Sequence, residues 1–193
     1  MRLTDQRYSR DRLRLDLALR FIHHEARTQT IRCWTGLTDD RIRKLYRSYS
    51  IGANEVAVTR HRGKSPQKAA FFTRNVRLQT EAATCASLFS LYGVLPASAI
   101  TDARRQFPGV VRGSLLCRAY EALRNLLPGT AITFEHAVFL AAALARGDEL
   151  RLTSCDHCAA LNVVDRLTLR QALCSCCAAP LPTLAEQYPA QEK

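Results

Sequence analysis

Residues 155–177, CDHCAALNVVDRLTLRQALCSCC, contain the most informative pattern of this sequence, two Cys-x-x-Cys pairs separated by fifteen residues. This is the spacing of a four-cysteine zinc ribbon. Zn²⁺ prefers four tetrahedral ligands, and each Cys-x-x-Cys turn can place two thiolates at about 2.3 Å from the ion. Because four thiolates leave no position for a catalytic water, we expect one structural zinc ion held by Cys155, Cys158, Cys174 and Cys177.

The same stretch leaves alternatives for the ligands and predicts a hairpin. Cys176 or His157 could replace one of the four cysteines. Buried or redox-active cysteines without a metal are a further alternative. Residues 161–164 and 167–169 are strand-like on either side of Asp165-Arg166. This pattern predicts the hairpin of a ribbon between the two cysteine pairs.

The charge of the chain is unevenly distributed. The 193 residues carry a net charge of +11, and residues 1–80 account for all of it, with 18 Lys and Arg against seven Asp and Glu. Arginine supplies 24 of the 28 cations. Arginine pairs bidentately with phosphate and with guanine, so the basic half favours a nucleic-acid ligand. The alternative is a basic surface that is only solvated.

Hydrophobic periodicity predicts a mainly α-helical fold before the ribbon. The predicted organisation is a helical domain for DNA and partner binding at 1–148, a zinc ribbon at 149–178 and a disordered tail at 179–193. Helices are expected at 13–34, from about 39 to 48, and at 69–92, 97–105, 113–127 and 133–146, with a basic loop at 50–68. Three cysteines on these helices are expected to be small buried hydrophobes: Cys33, Cys85 and Cys117.

Residues 29–48, QTIRCWTGLTDDRIRKLYRS, have the form of a helix-turn-helix. Gly36 suits the left-handed residue of the turn, Leu37 follows it as a core residue, and Ile42 and Leu45 would hold the second helix against the first. Such a motif presents its second helix to the major groove of DNA. We expect DNA contacts from that helix and from the basic loop, made by Arg41, Arg43, Lys44, Arg47, Arg60, Arg62 and Lys64.

Two observations weigh against a DNA-binding helix. Asp39 and Asp40 lie at the end of the second helix that usually enters the groove, where they would repel phosphates. Helix-turn-helix patterns are also common by chance, and an ordinary helical hairpin with a cationic, solvated face is the alternative.

Taken together, these motifs resemble the FlhC family of bacterial flagellar transcription activators. The resemblance covers about residues 13–178 and rests on TGLTDDRIRKLYRSY, on a basic G-K-S-P loop before Phe71-Phe72, and on LRLTSCDHC followed by CSCC. It implies a hetero-oligomer with an FlhD-type subunit that binds promoter duplex DNA and recruits RNA polymerase to flagellar operons. It also implies that the four paired cysteines hold zinc and that this chain supplies most of the DNA contact.

The sequence favours the hypothesis of a DNA-binding subunit over that of an enzyme. His23-His24-Glu25 together with Cys155 and Cys158 superficially resembles the motif of zinc deaminases, but Ser154 stands where that motif requires proline. A zinc hydrolase or deaminase is therefore the weakest alternative. A zinc-stabilised scaffold subunit without DNA contact is the stronger one.

A cytoplasmic location is expected. The longest apolar run, residues 137–145, has nine residues, whereas roughly 20 are needed to span a bilayer, so no membrane association is predicted. The first residues, MRLTDQRYSRDR, contain no apolar segment typical of a secretory signal. Cytosolic thiols are kept reduced, which favours metal binding over disulfides for the cysteines.

Overall fold

α-Helices dominate the computed structural model, which describes residues 5–52, 58–95, 108–168 and 173–178. The prediction of a mainly helical fold is confirmed. The predicted helix at 97–105 and the predicted tail at 179–193 lie outside the described residues. The elements of the described chain are α1 (Asp5–His23), α2 (Thr28–Thr35), α3 (Asp39–Gly52), a 3-10 helix (Ala69–Phe72), α4 (Val76–Leu91), α5 (Val110–Leu126), α6 (Phe134–Arg146), β1 (Leu150–Ser154), β2 (Leu161–Asp165) and α7 (Ser175–Ala178).

The prediction of a single helix at 13–34 is wrong, because the first helix ends at His23 and a second begins at Thr28. Glu25 adopts a left-handed conformation with φ 58°. Its N–H donates to the Ile22 carbonyl at 2.8 Å, and the Ala26 N–H donates to the Phe21 carbonyl at 2.9 Å. These two bonds close the helix as a Schellman motif, a position that usually carries glycine or asparagine. Because this position is a glutamate, the sequence contains no local signal for the end of the helix.

The predicted helix at 69–92 also consists of two pieces. Phe71 and Phe72 lie on the short 3-10 helix, and α4 begins only at Val76. Asn75 is the N-cap of α4, and its side chain accepts a hydrogen bond from the Leu78 N–H at 2.8 Å. Asparagine is favoured at this position because it satisfies an otherwise unpaired N–H of the first turn.

The hairpin differs from the predicted one in its second strand. β2 pairs antiparallel with β1, which precedes the first cysteine pair, in a register that places Ser154 opposite Leu161. The strand expected at 167–169 is wrong over its described part. The Leu167 N–H donates to the Asp165 side chain at 2.8 Å, forming a turn, and Leu167 is 84% exposed. Leu169 lies outside the described residues.

The helices and the hairpin share one hydrophobic core. Phe21 of α1 packs edge-on against Phe134 of α6, with ring centroids 4.9 Å apart. Gly113 allows α5 to approach α1, since a Cβ there would lie 2.7 Å from a Leu17 methyl group. Leu150 and Val163 of the hairpin are fully buried in the same core. The predicted domain boundary between residues 148 and 149 concerns whether the two parts fold independently, and it stays a prediction.

Two of the three isolated cysteines are buried as expected. Cys85 and Cys117 are fully buried, and burial raises the pKa of the Cys117 thiol to about 12. The expectation for Cys33 is wrong, because that side chain lies on the exposed face of α2. No helix among the described residues is long and apolar enough to cross a membrane.

Two histidines make the stability of the fold sensitive to acid. Burial lowers the pKa of His24, which contacts Glu121 at 3.1 Å, and burial also lowers the pKa of His136. The unfolded chain takes up protons near the ordinary histidine pKa of about 6.5, while the folded chain still resists protonation. The contribution of the two histidines to the stability is therefore fully present above this pH, and it is lost as the pH falls through their lowered pKa values.

We expect the free energy of unfolding, measured with urea, to decrease between about pH 7 and about pH 5. A His24→Phe variant keeps an aromatic ring against Phe134 and Tyr120 but cannot titrate. It should show a shallower decrease over this interval. An identical decrease in the variant and the parent protein would contradict this role of His24.

Candidate metal centre and nucleic-acid interface

Four cysteines form a compact group that could hold a metal ion. The sulfur atoms of Cys155, Cys158, Cys174 and Cys177 all lie within 4.8 Å of one another. A tetrahedral site with metal–sulfur bonds of about 2.3 Å has sulfur–sulfur edges of about 3.8 Å. The Cys158 and Cys174 sulfurs are already 3.5 Å apart. Small shifts of the remaining sulfurs thus suffice for tetrahedral coordination, and the donor set fits a thiophilic ion.

The first cysteine pair lies in the connection between β1 and β2. Cys155 follows the last residue of β1, and its N–H donates to the Ala160 carbonyl at 2.8 Å. The Ala159 N–H donates back to the Cys155 carbonyl at 2.9 Å, with Ala159 in a left-handed conformation at φ 59°. This tight turn folds the chain so that Cys158 lies beside Cys155.

The second pair lies at the start of α7. The Cys177 N–H points at the Cys174 sulfur, with the two atoms 3.4 Å apart. The side chain of Asn162 in β2, which is 4% exposed, donates to the Leu173 carbonyl at 3.0 Å. This bond ties the second pair to the hairpin that carries the first pair, and sequence analysis did not anticipate it.

Backbone N–H groups prepare two of the four sulfurs, those of Cys155 and Cys174, to carry negative charge. The N–H groups of Cys174, Cys158 and His157 lower the pKa of the Cys155 thiol to about 6. Likewise, the N–H of Cys177 lowers the pKa of Cys174. The thiol of Cys177 behaves oppositely, because its hydrogen bonds with the Cys174 and Cys158 sulfurs raise its pKa to about 12. A cation between the four sulfurs would favour the thiolate form of all of them.

The alternative ligands lie outside the group. Cys176 is exposed and is not part of the group. His157 Nδ1 lies 3.8 Å from the Cys177 sulfur, beside the group. His23 and His24, the histidines of the deaminase-like motif, are not part of the group either. His24 Nε2 instead lies 3.1 Å from a Glu121 oxygen, and His23 Nδ1 lies 3.1 Å from the Tyr49 hydroxyl.

α2 and α3 form a helix-turn-helix with a three-residue turn. Gly36 has φ 70°, which is the left-handed conformation expected from the sequence. Leu37 is buried after it, and its N–H donates to the Thr35 hydroxyl at 3.2 Å. Ile42 is fully buried against the core, whereas Leu45 is partly buried. These apolar contacts leave the opposite face of α3 open to solvent.

The four cations predicted on α3 lie on that open face. Arg41, Arg43, Lys44 and Arg47 are all exposed. Arg43 pairs with Asp40 at 3.0 Å. Among the described residues, the other three α3 cations make no ion pair. The remaining acid at the start of α3, Asp39, lies 3.7 Å from Arg32 of α2. Both carboxylates that argued against DNA binding are therefore partly neutralised by arginines.

The basic loop is fastened to the α1–α2 junction through Glu25. One oxygen of Glu25 accepts the Thr59 N–H at 3.2 Å, and the other lies 2.8 Å from His61 Nε2. Partial burial raises the pKa of Glu25, but the hydrogen bonds from His61 and Thr59 outweigh it, so the pKa lies below its ordinary value. The glutamate is therefore ionised at neutral pH and anchors the loop.

Further contacts hold the same loop against the helix-turn-helix. The Arg60 guanidinium lies 5.7 Å from the ring centroid of Tyr46 in α3, and it donates to the Thr28 hydroxyl at 3.2 Å. The side chain of Arg27 donates to the Arg62 carbonyl at 2.8 Å. The side chains of Arg62 and Lys64 are exposed. The structure thus brings Arg60 into contact with α3, although the two are separated in sequence.

No protein-family model matches the chain, and no curated protein matches it.

Proposed function

We propose that this chain is the DNA-binding subunit of a transcription activator of the FlhC type. In this proposal it acts in the cytoplasm as part of a hetero-oligomer with an FlhD-type subunit, binds promoter duplex DNA and recruits RNA polymerase to flagellar operons. The observation that carries the DNA-binding part is the attachment of the basic loop to the helix-turn-helix, with Arg60 against Tyr46 of α3. The partner and the target genes rest on the resemblance of the sequence motifs.

The attachment supports DNA binding because it joins two groups of cations on one scaffold. A duplex carries one phosphate charge per about 1.7 Å of its axis, so several spaced cations can engage it at once. The open face of α3 offers Arg41, Lys44 and Arg47, and the loop offers Arg62 and Lys64. Because Glu25 and Arg27 hold residues 59–62 of the loop, this part of the loop needs less ordering when a ligand binds.

We further propose that the cysteine group holds one zinc ion with a structural role. Zinc accepts four thiolates in a tetrahedral arrangement. A site in which all four ligands come from the protein has no open position for a substrate. The ion would fix the hairpin to α7. A catalytic use of this centre would instead require three protein ligands and a bound water.

The DNA-binding proposal predicts a steep dependence of affinity on salt. The logarithm of the association constant for a duplex should fall with the logarithm of the salt concentration, with a slope of about −0.9 per phosphate contact. Replacing Arg47 by alanine removes one exposed cation of α3 and should weaken binding up to about tenfold at low salt, with a slope smaller by about 0.9. Fluorescence anisotropy over a series of salt concentrations measures both quantities.

A matched control separates local contacts from total charge. Arg118→Ala removes one exposed arginine from α5, outside α3 and the basic loop. This variant should retain the slope of the parent protein. A flat salt response, or equal effects of the Arg47 and Arg118 variants, would exclude α3 as the DNA contact and favour a scaffold role.

The subunit proposal needs its own experiment. Co-expression with an FlhD-type protein should yield a stable complex that binds a flagellar promoter more tightly than an unrelated duplex of equal length. If the two proteins do not co-purify while the salt dependence above is observed, the chain binds DNA but is not an FlhC-type subunit.

A further inference from the structure

A cavity of about 530 Å³ lies beside the basic loop. Pro66 of the loop and Ala70 and Phe71 of the 3-10 helix supply most of its apolar lining. Its volume lies within the range of small-molecule sites, which is about 300 to 1,000 Å³. The cavity is separate from the cysteine group and from the open face of α3.

One wall of the cavity is a rigid aromatic stack. The ring of His136 lies parallel to that of Phe71, with centroids 4.0 Å apart and planes inclined by 9°. His136 Nδ1 lies 2.8 Å from the Thr133 hydroxyl, which fixes the orientation of the imidazole. Since burial lowers the pKa of His136, this wall is uncharged at neutral pH. A ligand thus meets a preformed apolar surface.

The charges that line the cavity have one sign. Lys64, Lys68 and Arg74 line it, and none of the described residues that line it is a carboxylate. None of these cations forms an ion pair within the described part of the chain, although Arg74 lies 5.2 Å from the centre of the Phe71 ring. The nearby Glu135 is turned away, because its oxygens accept from the Arg27 N–H at 2.7 Å and the Thr30 hydroxyl at 2.9 Å.

We propose that this cavity binds a small amphipathic organic anion, with an apolar body against Phe71 and an anionic head between Lys68 and Arg74. An apolar lining with a few convergent charges is the usual composition of a small-molecule site. Duplex DNA does not fit this description, because its phosphates carry no apolar body that could enter the cavity. The site therefore does not depend on the proposed DNA binding.

Anilinonaphthalenesulfonate, a fluorescent dye with a flat apolar body and one sulfonate, tests the proposal. We expect saturable binding of one dye molecule per chain. Phenylnaphthylamine, which has a similar body without the charge, should bind at least about tenfold more weakly, because a charge-assisted contact contributes this much. Equal affinity for the charged and uncharged dyes would overturn the proposal.

Two variants locate the site without touching the predicted DNA contacts. The double variant Lys68→Gln and Arg74→Gln removes the charge and should weaken sulfonate binding about tenfold or more. Ala70→Phe fills the cavity without changing the charge and should also abolish binding. Arg118→Gln is the control for total charge and should bind normally. Thermal unfolding checks that each variant is folded.

Competing ligands then identify the class of anion. A medium-chain fatty acid and an aromatic carboxylate are each tested for displacement of the dye, and displacement by either one supports the proposal and identifies the apolar body. If neither displaces it, or if the folded cavity variants bind the dye as tightly as the parent protein, the proposal is overturned. DNA affinity is measured in parallel, so failure here leaves the proposed function unaffected.

Discussion

Replacing Cys155 or Cys174 by serine is expected to abolish the proposed zinc binding and to unfold the C-terminal hairpin and α7. A structural zinc ion contributes on the order of 10 kcal/mol to the folding of small modules, far more than a short hairpin gains by itself. Serine cannot supply the thiolate, so one ligand and its charge are lost. The metal content should fall from about one ion per chain to almost none, as determined by metal analysis. The protein should also become poorly soluble.

Cys176→Ser is the matched control, because this cysteine lies in the same segment but outside the group. It should keep its metal and its thermal unfolding midpoint. If the Cys155 and Cys174 variants were metal-free yet folded like the parent protein, the structural role of the metal would be wrong. If the Cys176 variant lost its metal, the ligand set would be wrong instead.

Replacing Glu135 by alanine is the second change with a large expected effect. This side chain is 6% exposed and accepts hydrogen bonds from the Arg27 N–H and the Thr30 hydroxyl. Alanine would remove this acceptor from a partly buried N–H and from a buried hydroxyl whose other partner, the Ser65 hydroxyl, lies 3.5 Å away. A buried donor that loses its acceptor costs about 1 to 3 kcal/mol. We expect the free energy of unfolding to fall by roughly 2 to 5 kcal/mol, measured by chemical denaturation.

Two further substitutions serve as comparisons for this result. Glu135→Gln keeps an oxygen acceptor and should lose less stability than the alanine variant. Glu149→Ala removes an exposed glutamate whose ion pair with Arg146 spans 3.3 Å, and it should change stability by less than about 1 kcal/mol. Equal effects of the Glu135 and Glu149 alanine variants would mean that the buried contacts contribute little.

Patterns confined to a short stretch predicted the site better than they predicted helix boundaries. The spacing of the cysteines predicted the group that forms, since each pair needs only a local turn. Gly36 and the apolar residues after it predicted the turn between α2 and α3. These signals depend on the chemistry of a few neighbouring residues, which the sequence displays directly.

The errors arose where tertiary contacts override local preference. Ile22 and Ala26 continue the apolar stripe of α1, but the helix ends between them because Glu25 takes a left-handed conformation that costs a non-glycine residue roughly 1 to 2 kcal/mol. The anchoring of the loop by this glutamate offsets that cost, and it involves residues more than thirty positions away. No local pattern contains such a contact.

The buried carboxylates were missed for the same reason. Glu81 is 5% exposed and accepts from the Thr130 hydroxyl and the Ala131 N–H, each at 2.9 Å. In sequence it looks like any solvated helix residue. The alternation of apolar and polar residues at 150–154 is the signal in the sequence that indicates β1, which lies before the first cysteine pair.

If the cysteine group holds zinc as proposed, the packing of the hairpin against the helical core would make the folded state of this protein responsive to metal scarcity. The β2 residue Val163 is fully buried in the core, and Asn162 beside it fastens the second cysteine pair. Loss of the ion would therefore expose core surface, not only a terminal segment, and such local opening is where proteases cut. Growth under zinc starvation would then shorten the lifetime of the protein before altering its affinity for any ligand.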